Sequence, residues 1–465
     1  MLTLLIFLNI FFVSFTDKPE KSAPALSPRA IEQREKWSIP TDDLDYPVCT
    51  AYLNDLRAKG VKIHHTSRWF NGATCEMDDE TAEKVKELSF VAAVELTRND
   101  TKHSPLPKKN NLPANYESNF TDNQLAVYNL HPLHEAGYEG QGILMTICDG
   151  GFYNANTLSC FRQSDLELGH FDFTDDADDF YGSSGTHGTS CLSTISGIDE
   201  QQGYYGAAPQ APYYLMRSEE ANTESPKEMD NLVAALEKSD SLGVNVFSVS
   251  LGYYWFNDGH DTLPKEALNG RTTRSSVAAT IAARKGMLVC AAAGNEGNKK
   301  WKTICSPADA DSVLTVGAVG LDSIIGSFSS YGPSADGRVK PDVCAVGVGT
   351  AVIRPNGTIV NGNGTSYATP LLAGMAAALW SALPDESAMQ IRDRIIRSAD
   401  RYINPDKTRY GFGIPDAWKA YNNGKESWIS GFEIEQDKPQ KIIRGEQILI
   451  IRHGHIYNLA GQLVE

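Results

Sequence analysis

The sequence predicts an α/β protein built on a mainly parallel sheet covered by helices, with a small α+β module before it and a short β segment after it. Three observations carry this. Apolar strand-like runs (ILMTIC at 143–148, PYYLMR at 212–217, VNVFSVSL at 244–251, MLVCAAA at 287–293, VLTVGAV at 313–319) alternate with helical stretches, and such alternation makes a parallel sheet because each parallel pair needs a crossover. Between 48 and 98 the pattern reads helix, strand, strand, helix, strand, part of a split βαβ module. A polar stretch rich in Pro and Asn at 99–118 lies between the two and is the expected linker and processing region.

Taken in order, residues 1–17 open with the apolar run MLTLLIFLNIFFVSFT before the polar DKPEK, the outline of a signal peptide. The run is too short to span a bilayer comfortably. No Lys or Arg precedes it and no A-x-A site follows, so a buried segment is the alternative. The first cysteine is Cys49, which leaves no N-terminal lipid site. Residues 18–47, rich in Pro, Ser and charge, read as an extended leader, and 48–98 as the small module. The main domain runs over 119–424; in it PKEMDNLVAALEKS is a helix with Pro226 at its first position and Leu232, Ala235 and Leu236 on one face. The stretch 425–465 changes to short alternating strands.

With 465 residues the chain has room for one large domain plus smaller modules. Its 42 Lys and Arg oppose 58 Asp and Glu, a net charge of -16. That balance argues against nucleic acid or an anionic membrane surface as partners. The eight cysteines allow many pairings. Cys148, Cys290 and Cys344 sit in apolar strand-like runs, where buried free thiols are expected, and no disulfide is assigned.

Nucleophilic hydrolysis needs a hydroxyl, a base, a carboxylate to orient the base, and donors for the oxyanion. Asp149 follows the strand ILMTIC, at the carboxyl end where sites form in open α/β sheets; as part of DGG it is equally a turn residue. His187 stands where the glycine-containing SSGTHGTS runs into a helix, a place where a lone His is usually structural. Ser366 opens the Ala- and Gly-rich helix of GTSYATPLLAGMAAALW, and a helix N-terminus favours a developing negative charge. Pro370, four residues on, has no N–H to give the carbonyl of Ser366. The order Asp, His, Ser, and the absence of G-x-S-x-G around Ser366, exclude an α/β-hydrolase arrangement.

With these residues in place the main domain resembles a subtilase. The matching segments are ILMTICDGGF, HGTS at His187, SVSLG, AAAGNEG, FSSYGP, KPDV, GTSYATP and GFGIPDA, which stand in family order over about 130–421. The resemblance implies a doubly wound, mainly parallel seven-stranded sheet and a serine endopeptidase. In it Ser366 is the nucleophile, His187 the general base and then acid, and Asp149 the orienter. It makes Asn295 the side-chain oxyanion donor beside the Ser366 N–H. It also implies substrate rails formed by Ser248, Val249, Ser250, Leu251 and Gly252 and by Ala291, Ala292, Ala293 and Gly294, to which a peptide adds as a strand. Ser190 replaces a His often found in the motif. Cys191, one helical turn after His187, is expected to be a free packing thiol, the alternative being a disulfide to Cys148 or Cys160.

The module at 48–98 resembles an inhibitory prodomain, and YNLAGQLV in the tail resembles short sorting modules of the type IX secretion route, a plain β-hairpin being the alternative. A secreted, self-processed zymogen follows, acting on protein or peptide substrates, with its own prodomain as inhibitor and no stable membrane span. No cofactor is assigned. The acids Asp172, Asp175, Asp176, Asp178 and Asp179 could bind calcium, although five acids without ligand spacing are more often a solvated loop. Tyr253, Tyr254 and Trp255 suggest an apolar preference. Two rivals share the scaffold: a catalytically silent surface binding protein, and a peptide ligase or macrocyclase that resolves the same acyl-enzyme with an amine.

Overall fold

The computed structural model describes residues 8–19, 23–99, 120–161, 166–174, 179–183, 185–220 and 223–423, and the backbone of three strands within 440–458. The linker expected at 99–118 falls, beyond Asn99, outside the described residues.

The N-terminal module differs from expectation. Its strands are β1 (Asn9–Phe15), β2 (Lys62–Ser67), β3 (Gly72–Met77) and β4 (Val91–Arg98), and its helices α1 (Pro28–Lys36), α2 (Thr50–Ala58) and α3 (Asp79–Lys86). The sheet order is β2-β3-β1-β4, so β1 sits between β3 and β4 and pairs antiparallel with both. The run expected to be a cleaved signal peptide is thus, over 9–15, an interior strand. Phe11, Val13 and Phe15 enter the module's core with Leu56, Cys75, Met77 and Val85. On the opposite face Phe12, also buried, lies under the Arg274 guanidinium at 4.7 Å. A strand covered on both faces is apolar at every position, and this is the composition of a signal's hydrophobic region.

The expected extended leader is likewise structured. Ser27 caps α1 and Pro28 opens it, a helix start by composition. The helix is fixed by charge: Arg34 bonds Asp45 at 2.7 Å and Asp240 at 2.7 and 2.9 Å, all three buried.

Two short helices, α4 (Phe120–Ala126) and α5 (His131–Glu135), lead into the main domain. Its elements follow as β5 (Met145–Asp149), β6 (Glu167–Asp172), α6 (His187–Ser196), the two-residue strands β7 (Ile198–Asp199) and β8 (Tyr204–Tyr205), β9 (Tyr213–Arg217), α7 (Pro226–Leu242), β10 (Val246–Val249), α8 (Arg274–Arg284), β11 (Leu288–Ala292), β12 (Leu314–Val319) and β13 (Val343–Val346). After the hairpin β14 (Thr350–Ile353) and β15 (Ile359–Gly362) come α9 (Thr365–Ala382), α10 (Ala388–Ser398) and α11 (Ala417–Asn422). The main sheet has seven strands in the order β13-β12-β11-β10-β5-β9-β6, every pair parallel. The chain runs from β5 to the edge strand β6, returns to β9, then crosses to β10 and outward. The order therefore reverses at β5, where open sheets leave a crevice beyond the strand ends. One core lies between the sheet and α6, α9 and α10, the other between the sheet and α7 and α8. The doubly wound expectation holds.

The module docks along α7. Both oxygens of Glu237 accept: Oε1 from Ser67 Oγ at 2.5 Å and Trp69 N at 3.1 Å, Oε2 from Arg68 N at 2.9 Å. Arg68 also reaches Asp240 at 2.6 Å. At the other end of α7, His260 faces Leu96 O at 3.1 Å and Asp258 accepts from Asn99 N at 3.1 Å.

All eight cysteines are buried free thiols. Among the described residues no helix is long and apolar enough to cross a membrane. The C-terminal unit is a three-stranded antiparallel ladder, β16 (Gln440–Arg444), β17 (Gln447–Arg452) and β18 (His455–Asn458).

If β1 belongs to the module, intact mass of the folded precursor will show residues 9–15 retained. Val13→Asp, at a position with no exposed surface, should cost about 3–5 kcal/mol and lower the module's melting transition. A stable precursor lacking residues 1–17 would contradict this placement.

Candidate active site

Asp149 ends the central strand β5 and is 1% exposed. Its carboxylate meets Nδ1 of His187, the first residue of α6, at 2.8 and 3.0 Å. Two glycines allow the approach. Gly151 has φ +140° and a Cβ there would lie 2.6 Å from Gly185 Cα; a Cβ on Gly188 would lie 2.4 Å from Gly151 O and 2.9 Å from Asp149 Cβ. Any larger residue would push α6 off the strand end. Because a carboxylate accepts, Nδ1 carries the proton and Nε2 keeps its lone pair. Burial pulls the imidazolium of His187 down, but the Asp149 carboxylate outweighs it and leaves the group well above its ordinary value. The side chain keeps 33% exposure, so its outer edge is open to a reactant.

Ser366 is the second residue of α9 and 9% exposed. Pro370 lies inside that helix and offers no N–H. The Ser366 carbonyl therefore accepts from outside the helix, from Ser250 Oγ at 2.8 Å and from the Cys191 thiol at 3.3 Å. The missing helical bond thus ties the serine to the ends of β10 and to α6. The Ser366 hydroxyl itself donates to Ser250 O at 3.3 Å; the structure shows no hydrogen bond between it and His187.

Asn295 lies just beyond β11, after Gly294 with φ +106°. Its Oδ1 accepts from Thr365 N at 2.9 Å and Thr365 Oγ1 at 3.1 Å. This fixes the amide's orientation and turns Nδ2 toward the chain ahead of Ser366. A Cβ on Gly364 would sit 3.8 Å from Asn295 Nδ2 and 3.6 Å from Ser366 N, so two donors bound one space beside the serine at a helix N-terminus.

Of the expected rails, Ser248, Val249, Ala291 and Ala292 lie inside the paired strands β10 and β11 and are buried. Ser250, Leu251 and Ala293 are buried too; only Gly252 is exposed and Gly294 half-buried. The first four therefore lie inside the sheet, and of the nine expected residues Gly252 and Gly294 are the ones left accessible. Cys305, which the sequence did not single out, stands between the two: a Cβ on Gly252 would lie 3.0 Å from Cys305 Cβ, and one on Gly294 2.9 Å from its Sγ. Thr365, adjacent to Ser366, was legible only as a neighbour. Tyr253 is buried, and Tyr254 stacks on Trp301 at 4.7 Å and donates to Glu296 at 2.8 Å.

Cys191 lies one turn below the histidine, its Sγ 3.7 Å from His187 Nδ1. Burial holds this thiol above its ordinary value. Asp149, His187 and Cys191 place ligand-type atoms within 4.8 Å of one another. In the acidic loop, Asp172 is engaged by Arg217 at 3.0 Å and by Thr174; Asp175, Asp176 and Asp178 lie outside the described residues.

These parts are a hydroxyl, an oriented imidazole and two N–H donors beside the serine, the kinds of group that acyl transfer uses. Residues 129–413 match the model of the Subtilase family, and residues 10–113 that of the Peptidase S8 propeptide domain of Bacteroidota. Subtilisin NAT of Bacillus subtilis subsp. natto is 27% identical over 364 residues, 77% of this chain and 83% of that protein. Subtilisin DY of Bacillus licheniformis is 31% identical over 281 residues, 60% and 90% of the two chains. Among solved structures, MycP1 from the ESX-1 type VII secretion system superposes with a TM-score of 0.53 at 21% identity, covering 70% of this chain and 91% of that one. The Prenylagaramide maturation protease PagA gives 0.50 at 23% identity, over 63% and 98%; at these identities the likeness is one of fold. With the family model covering most of the main domain and the propeptide model the module before it, the chain belongs to the subtilase family, as a subtilisin-like serine peptidase made with a propeptide.

Proposed function

We propose that this peptidase is an endopeptidase working through Ser366, His187 and Asp149, with Asn295 as side-chain oxyanion donor, and that it matures by its own activity. The observation that carries the reading is the buried carboxylate of Asp149 at 2.8 Å from His187 Nδ1, which leaves Nε2 free to take a proton.

In this reading a peptide adds as a strand along Gly252 and Gly294, with its carbonyl oxygen between Asn295 Nδ2 and the Ser366 N–H. The Ser366 hydroxyl turns from Ser250 O to His187 Nε2. As Oγ bonds the carbonyl carbon, its proton passes to Nε2, and the Asp149 carboxylate balances the imidazolium. The C–N bond breaks as Nε2–H is given to the leaving amine. Water then repeats the sequence through His187, releasing the acid and restoring the serine. The chemistry is carried by side chains and uses no cofactor.

The same reading makes the N-terminal module an inhibitor. It docks on the main domain through buried charge, and its last described residues, Arg98 and Asn99, reach the loops beside the cleft. The chain past Asn99 is where self-cleavage is expected. Export belongs to this reading on the strength of the propeptide organisation and of YNLAGQLV, which resembles a sorting tail.

Ser366→Ala should remain a full-length precursor while the wild type is processed, with peptide turnover lowered by about 10⁶-fold, a magnitude carried over from subtilisins. Equal processing of both proteins would assign the cut to another protease and remove the self-maturation claim.

The pH profile tests the base. His187 must be neutral to act, and its raised value means activity is lost as pH falls through a point above 6.5. The acid limb of kcat/KM should therefore lie above pH 6.5. Asp149→Asn removes the charge that lifts it, so the limb should move to lower pH while kcat drops about 10⁴-fold. A limb below 6.5 in the wild type would contradict the assigned pair.

Cys191 has no proton-transfer role in this reading: its thiol donates to the Ser366 carbonyl. Mercuric ion bound at its Sγ would displace the imidazole 3.7 Å away, so inhibition should develop with time and reverse with excess thiol. Cys191→Ala should keep activity within about tenfold and lose the mercury response. A folded but inactive Cys191→Ala enzyme would show that the thiol has been misread.

A further inference from the structure

The end of the N-terminal module is held on the main domain by a histidine set between two acceptors, and the triad makes no use of it. His260 lies in the loop between β10 and α8, and its side chain is 22% exposed. Its Nδ1 stands 2.9 Å from both carboxylate oxygens of Asp258, which has no exposed surface. Its Nε2 stands 3.1 Å from the carbonyl of Leu96 in β4. Asp258 also accepts from the backbone of Asn99 at 3.1 Å. One carboxylate and one imidazole thus grip the main chain of the module just ahead of the stretch where the cut is expected.

A carboxylate and a carbonyl only accept, so both contacts are hydrogen bonds when both ring nitrogens carry protons. The arrangement is that of an imidazolium, which also gives the buried Asp258 the cation it needs. A neutral ring keeps one proton. With that proton on Nδ1, the Nε2 lone pair faces the Leu96 oxygen; with it on Nε2, a lone pair faces the carboxylate. Either way one bond becomes a repulsion between acceptors. Water, which takes the place of Leu96 once the module leaves, can donate or accept and tolerates both forms. Docking therefore discriminates between the charged and the neutral ring, and solvent does not.

The charged groups around the ring point the same way. Asp258 faces it from its own loop and Glu95 from β4, the latter also bonded by Arg274 at 2.6 Å. The hydrogen bond to Asp258 is the largest influence holding the imidazolium above its ordinary value; burial opposes it, and the charge of Asp258, the Leu96 carbonyl and the charge of Glu95 add to it. Leu96 and Glu95 leave with the module. The contribution of the ring to docking is then complete below its value in the released domain, and is lost as pH rises through its value in the docked one, which lies above 6.5. The guanidinium of Arg274 keeps its charge throughout this range.

We propose that His260 is a pH-sensitive clasp: as an imidazolium it joins Asp258 to the end of the module, and its loss of a proton as pH rises loosens the cut module from the main domain. The consequence rests on the inhibitor reading above and adds to it the condition under which inhibition ends. Latency is kept in acid and relieved toward alkaline pH.

The test separates docking from catalysis. The Ser366→Ala precursor is given a recognition sequence for an added protease within 100–118, cut there, and passed over a size-exclusion column from acid to alkaline pH. The module should co-elute most completely below neutral pH and dissociate increasingly as pH rises, whereas His260→Gln, which has no titrating ring, should flatten that dependence. Isotope-labelled histidine read by NMR reports the ring itself, His260 being identified by the signal lost in His260→Gln. Its midpoint should be higher in the complex than in the released main domain, each unit of difference matching about a tenfold change in the dissociation constant. Retention independent of pH in the parent, the same pH dependence in His260→Gln, or a midpoint no higher in the complex overturns the clasp. If His260→Gln does not fold, a parent in which no main-domain histidine midpoint falls on release overturns it as well. Should the complex behave as expected while the enzyme with Ser366 cleaves peptides at full rate with the module bound, the clasp is supported and the inhibitor reading fails instead.

Discussion

The carboxylate of Asp149 is buried at the end of the central strand and faced by one imidazole, and the geometry of the site follows from that burial. A charge with 1% exposure needs a partner in fixed geometry. His187 supplies it only because Gly151 and Gly188 let α6 close on the strand end. Once Nδ1 is committed to the carboxylate, the imidazole has one orientation and one free nitrogen. The topology puts this pair at the reversal point of the sheet, and α9 brings Ser366 to the same end from the far side of the core.

The serine is held by an absence. Pro370 removes the helical hydrogen bond that would satisfy the Ser366 carbonyl, and Ser250 and Cys191 supply the missing donors. Three elements, β10, α6 and α9, are thereby pinned at one atom. Asn295 is oriented in the same manner, by Thr365 on its oxygen, so that its amide nitrogen is presented without a search over rotamers. In the proposed reading, preorganised donors of this kind stabilise an oxyanion without reorganising at the moment of reaction. Proximity of the docked module completes the arrangement: its strands β1, β2 and β4 lie along α7.

The sheet and its crossovers were legible because they rest on local pattern; the apolar runs before Asp149 and Asn295 and the glycine-containing turns at His187 and Ser366 marked positions that the structure brings into contact as Asp149 with His187 and Asn295 with Thr365, beside Ser366. The N-terminus was misread for a definite reason. A signal segment and a strand buried on both faces have the same composition, and only the partners of Asn9–Phe15, Gly72–Met77 and Val91–Arg98, tell them apart. The leader was misread because α1 is anchored by Arg34 to carboxylates from elsewhere, Asp45 and Asp240, and carries no long apolar face. The Ser-Pro start at 27–28 was its one local signal. Cys305 could not be found from sequence: it acquires its place from the chain at Gly252 and Gly294, distant from it in sequence.

The account stands on Ser366 being activated by the oriented imidazole of His187, and reaction with a fluorophosphonate followed by peptide mapping tests this most directly. One adduct per chain on Ser366, formed at a rate that rises with the deprotonation of His187 and is strongly reduced in Asp149→Asn, is the predicted result. An adduct on a different residue, or none on a folded and processed chain, would contradict it.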